Sequence, residues 1–130
     1  MPELLVPVSP GELIDKVTIL EIKSARMSDA AKLKNVRTEL EWLLRTWQDS
    51  AYASIDIQQE WEGLRAVNGQ LWDIEDRIRD KEREQAFDQE FIELARAVYV
   101  TNDERAAIKR RINVKLGSSL VEEKSYKQYK

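Results

Sequence analysis

The sequence contains no cysteine and no histidine. The first absence excludes disulfides. The second removes His-dependent triads, and the two together remove zinc sites of the usual kind and the Glu-x-x-His motif of di-iron helical bundles. Glycine is scarce, with four residues, and none has the spacing of a phosphate-binding loop. A basic surplus is missing too. The 21 Lys and Arg stand against 24 Asp and Glu, for a net charge of −3, which is not the footprint of a nucleic-acid binder. No long apolar run exists. The stretch Leu4 to Val8 is short, carries Glu3 upstream and is interrupted by Pro7, so neither a signal peptide nor a membrane span is expected. A cytoplasmic protein with no cofactor, no metal, no nucleic acid and no membrane partner is the expectation.

What is present is helical. Apolar residues make up 42% and charged residues 35% of the 130, the balance of long amphipathic helices in one domain. Pro2, Pro7 and Pro10 make residues 1–9 an extended N-terminal segment. Ser9-Pro10-Gly11-Glu12 then reads as a capping box, with Pro at the first helical position. Leu13, Val17 and Leu20 share one face of this first helix, Ile14 lies beside them, and Ile19 and Ile22 point elsewhere. A helix apolar on more than one side belongs at a centre or an interface. Ser28 and Asp29 cap a second helix to about Gln48, striped by Leu33, Val36, Leu40, Leu43, Leu44 and Trp47 at coiled-coil-like spacing. Asp49 to Asp56 is a loop. A third helix runs to about Gln85, with Ile57, Trp61, Leu64, Leu71 and Ile78 in its stripe. Ten of the thirteen residues from Trp72 to Glu84 are charged, mostly as opposite-sign neighbours on a solvated face. From Phe87, one long helix or two shorter ones reach Gly117, because Thr101 or Asn102 could start a new helix. Residues 118–130 form a polar tail, with Leu120, Val121 and Tyr126 as candidate points of order. The expected fold is an all-α, antiparallel bundle of four or five helices.

Polar residues interrupt the apolar stripes. Asn68 and Glu75 lie within the third helix's stripe and Arg79 at its edge. Asn102, Arg105 and Lys109 sit between Val98 and Ile112, and Glu21 lies close to Ile14 and Val17. Buried charges must be paired. Three arrangements satisfy that demand. In one, Glu75 or Glu21 pairs with Arg105 or Lys109, with Asn68 and Asn102 bridging. In another, an irregular bundle lets these groups reach solvent. In the last, Arg105 and Lys109 hold a small carboxylate or phosphate between helices. Asp73 with Asp76 and Glu90 with Glu93 have the spacing of a magnesium site, but in so charged a chain that spacing arises by chance. The Glu-x-x-Glu pair follows the Glu-x-x-Asp pair (Glu12, Asp15), the reverse of the helical nucleotide pyrophosphatases. Arg110 and Arg111 complement a helix C-terminus. Surplus apolar side chains at Ile19, Ile22, Trp42 and Trp72 suggest an interface, and hence a homodimer or a protein partner.

The segments SPGELIDKVTILEIK (Ser9 to Lys23), LWDIEDRIR (Leu71 to Arg79) and FIELARAVYVTNDERAAIKRRIN (Phe91 to Asn113) resemble a small bacterial family known as a domain of unknown function. The resemblance covers most of the chain outside the loop around 49–58. It implies a bacterial, intracellular protein of this length, with relatives in glycosyltransferase and surface-polysaccharide surroundings. It transfers no catalytic residue. The first helix also resembles, generically and without an aligned motif, the all-helical chorismate mutases, which hold a dicarboxylate between helices. Two functions follow as expectations. One is a non-enzymatic helical interaction module. The alternative is an enzyme or sensor that binds a small anion around Asn68, Glu75, Asn102, Arg105 and Lys109, with Arg79 and Glu21 nearby.

Overall fold

The computed structural model describes residues 2–123 and 125–129. Met1 and Lys130, the outer ends of the N-terminal segment and the tail, and Lys124 lie outside the described residues. Four helices account for the fold: α1 (Pro10–Arg26), α2 (Ala30–Gln48), α3 (Gln58–Glu84) and α4 (Gln89–Leu116). No strand occurs among the described residues, and no helix is long and apolar enough to cross a membrane.

The helix boundaries follow local chemistry. Ser9 Oγ accepts the Glu12 N–H at 3.1 Å, with Pro10 in the first turn. Glu12 does not need to complete the box, because its carboxylate turns across the molecule to Lys109. Asp29 caps α2 through the Lys32 amide, and Asp88 caps α4 through the Phe91 amide. α3 stops at Gln85, which is left-handed at φ 53°, and α4 stops at Gly117, left-handed at φ 67°. Such residues turn the chain and satisfy the last carbonyls.

The last helix is unbroken. Its 28 residues run through Val98-Tyr99-Val100-Thr101 without a new start. Thr101 is buried, and the Asn102 side chain accepts from Arg105. The local cost of β-branched residues, a few tenths of a kcal/mol each, is smaller than the packing gained.

α1 is the central element. It packs on all three other helices, whereas the backbone of α2 comes close to α1 alone and α2 reaches α3 only through side chains such as Trp47. This is why α1 is apolar on several sides, burying Leu13, Ile14, Val17, Leu20 and Ile22. Around them gather Trp47, Ile57, Leu64, Val67, Ile108, Ile112 and Leu116. Trp47 meets Trp61 edge-on, with ring centroids 5.9 Å apart. The far ends of α3 and α4 are tied by surface charge, Arg77 to Glu90 and Lys81 to Asp88.

Candidate functional site

The polar centre of the molecule lies where α1 crosses α3 and α4, and it is built from one face of α1: Gly11, Asp15 and Thr18. At Gly11 the helices almost touch. A Cβ there would lie 2.5 Å from the Lys109 carbonyl oxygen, so only glycine fits without a shift. Its N–H, a free donor of the first turn, goes to Asn113 Oδ1 at 2.7 Å.

One turn further, Asp15 is 1% exposed. Arg105 clasps it with two parallel hydrogen bonds, Nε to Oδ1 at 2.9 Å and Nη2 to Oδ2 at 2.5 Å. Fork-on-fork pairing of this kind fixes direction as well as charge. Asn68 Nδ2 donates to Asp15 Oδ1 and to Thr18 Oγ1, both at 3.0 Å. Thr18 Oγ1 donates to the Asp15 carbonyl, and Asn102 Oδ1 accepts from Arg105. Lys109 Nζ stands 3.9 Å from Asp15 Oδ2, 2.7 Å from Glu12 Oε2 and 2.6 Å from Glu122 Oε2. Among the described residues no buried side-chain polar atom lacks a partner.

The electrostatics agree with the geometry. The hydrogen bond to Asp15 lifts the Arg105 guanidinium above its ordinary value, against the opposing effect of burial. Burial pulls the Lys109 ammonium down, but hydrogen bonds to Glu12 and Glu122 and the charge of Asp15 outweigh it and leave the group raised. Both cations therefore stay charged near neutral pH, where neither gives or takes a proton.

Of the residues singled out in the sequence, Asn68, Asn102, Arg105 and Lys109 meet here. Their counter-ions are Asp15 and Glu12, not Glu75 or Glu21. Glu75 lies seven residues beyond Asn68 on α3, roughly 10 Å along the axis, and pairs with Arg79 on the surface. Glu21 is engaged elsewhere, accepting from Trp61 Nε1 and Arg65. Among the four apolar candidates Ile22 is buried and Trp42 is 52% exposed. Ile19 and Trp72 are half-buried, with the Arg26 guanidinium over the Trp72 ring. Asp15, Thr18 and Asn113 were not singled out as a site. The available signal was the run of small and polar residues at Gly11, Asp15 and Thr18 along one side of an otherwise apolar helix.

Two surface grooves lie apart from this centre. One, of about 460 Å³, has Trp47, Ile55, Ile57 and Trp61 in its wall. The other, of about 440 Å³, runs along α2 past Arg37, Leu40, Leu44 and Arg45. Among the described residues no group of three acidic side chains is placed to hold a metal ion.

The fold and its centre define a class: a four-helix protein whose first and last helices are locked by an internally neutralised charge network. The chain belongs to a family of unknown function (DUF6165), which it matches over residues 4–129. That span takes in all four helices, the apolar run from Leu4 and the tail. No curated protein and no solved structure matches the chain.

Proposed function

We propose that the protein is a non-enzymatic helical interaction module that works as a homodimer, each copy covering the N-terminal apolar run of the other. One observation carries this reading. Leu4, Leu5 and Val6 are 94%, 88% and 72% exposed, although the chain continues directly into Ser9 and Pro10, which are buried. Each uncovered Leu or Val forgoes about 1.5–3 kcal/mol of burial. A two-fold pair recovers that twice, because an isologous interface uses the same surface on both copies. The groove at Trp47, Ile55, Ile57 and Trp61 offers apolar side chains for part of that run, with Asp56, Gln58, Glu62 and Arg65 completing its wall. The closed network around Asp15 favours a structural task for Arg105 and Lys109 over catalysis. The order of partners supports an antiparallel course of α1 and α4, since Gly11, Glu12 and Asp15 meet Asn113, Lys109 and Arg105 in turn. Residues 2–8 are all exposed, in keeping with an extended segment.

Light scattering of the full chain across a dilution series tests the proposal, with a Leu4→Ser/Leu5→Ser variant alongside. The expected result is a dimer that the double substitution converts to a monomer with an unaltered helical melt. A wild-type monomer at every concentration sinks the homodimer. A dimer indifferent to the substitutions moves the interface away from this segment.

A further inference from the structure

Beyond α4 the chain turns back on itself. Gly117 reverses it, the Ser118 N–H donates to the Asn113 carbonyl, and the Ser118 hydroxyl bridges to Leu120. The tail then runs along α4 towards that helix's start. Glu122 reaches Lys109 at 2.6 Å and Glu123 reaches Arg110 at 3.7 Å. Further on, the Tyr129 ring packs edge-on against Tyr99, 5.0 Å between centroids. Later tail residues meet earlier turns of the helix.

Glu122 differs from the other carboxylates around Lys109. Glu12 and Asp15 are carried by α1 and held by the core, whereas the Glu122 side chain is 61% exposed on a segment outside the helices. An ammonium has three donors. Glu12 and Glu122 lie within hydrogen-bond distance of it, and Asp15, at 3.9 Å, does not. Arg105 and Lys109 are already matched in charge by Asp15 and Glu12, so Glu122 adds a third carboxylate to a balanced set. Removing it leaves a donor aimed at the surface, with the exposed Arg110 beside it. Both cations are carried by α4, and together they complement two adjacent carboxylates.

We propose that Lys109 and Arg110 form a binding site for paired carboxylates, that Glu122 and Glu123 occupy it as a tethered ligand, and that it accepts an acidic segment of another protein when the tail lifts. This goes beyond the dimer reading and does not depend on it. The tether is short, and short flexible links give effective concentrations in the millimolar range. A tail seated nine-tenths of the time lowers the apparent affinity for an outside segment about tenfold, because only the open fraction binds.

The test uses the full chain and a full-length Glu122→Ala/Glu123→Ala variant, whose substitutions fall on exposed side chains. Each is titrated, by amide chemical shifts, with a synthetic peptide of residues 118–130, with the same peptide carrying glutamine at both acidic positions, and with free glutarate. The expected result is binding of the acidic peptide to the variant about tenfold tighter than to the wild type. The shifts should fall on residues 105–113, and the glutamine peptide should not bind. Equal affinity for both receivers, or no binding to the variant at millimolar peptide, overturns the proposal. Binding of glutarate without the peptide overturns the protein partner in favour of a small dicarboxylic acid.

Discussion

Asp15 is the residue on which the polar centre turns. Arg105, Asn68 and Lys109 all face it, from two other helices. Asp15→Ala would strip the guanidinium of its counter-ion and leave it only the Asn102 oxygen, and the Asn68 amide only Thr18, in a site that water reaches poorly. Removing one partner of a buried pair costs about 3–5 kcal/mol. Arg105 keeps some solvent contact, so the lower end of that range is expected in a urea melt. Asp15→Ala combined with Arg105→Met should recover much of the loss, since the orphaned charge goes with it. A loss below about 1 kcal/mol in the single variant, the range of an exposed pair, would show that the network bears no strain of the fold. The cationic half of this centre was legible in the sequence, because Arg105 and Lys109 interrupt a single apolar stripe. The anionic half was not. Asp15 sits on a helix apolar on several sides, where a polar residue breaks no stripe, and the sequence does not say which acid reaches across ninety residues to Arg105.

At the scale of helices, the close approach of α1 to α4 sets the geometry, and two glycines separate the possibilities. Gly11→Ala puts a methyl 2.5 Å from a backbone oxygen of Lys109, which cannot swing aside as a side chain can. The helices must part, at a cost of about 1–3 kcal/mol, despite the better helix propensity of alanine. Gly63→Ala meets only Ile108 Cδ1 at 3.5 Å, an ordinary contact. It should stabilise by up to about 1 kcal/mol, the propensity difference in a helix interior. Thermal melts of the two variants should therefore move in opposite directions, and a shared sign would remove the special role of Gly11. Helix ends were readable because Ser9, Asp29, Asp88 and Gly117 act through their own backbone neighbours. Whether α4 was one helix or two was not readable. The answer depends on the burial of Thr101 and the engagement of Asn102, and neither is local.

For the molecule as a whole, the missing histidine shapes the response to pH. Histidine is the side chain whose ordinary pKa brings a charge change between about pH 5 and 8. The melting temperature should accordingly be level from roughly pH 6 to 9. Lys109 sets the alkaline limit. Burial lowers it, but Glu12, Glu122 and Asp15 leave it above the ordinary 10.5. Its stabilisation is complete below that value and disappears as pH climbs past it. Melts taken in steps from pH 6 to 11 should show a plateau and then a fall, and a decline between 6 and 8 would contradict the assignment. The all-helical fold was legible from the periodicity of the stripes. The central place of α1, which packs on all three other helices, was only hinted at by the helix's several apolar sides.

The clasp between the start of α1 and the end of α4 also bears on how the chain is made. The Gly11 amide is held by Asn113, 102 residues later, and at about 5–20 residues per second of synthesis that acceptor appears roughly 5–20 s afterwards. Until then only α2 and α3 can cover the apolar sides of the central helix, and Asp15 waits without Arg105. The α1–α4 clasp of a nascent chain is therefore the last part of the fold to close, after the helices that α1 already touches have been made.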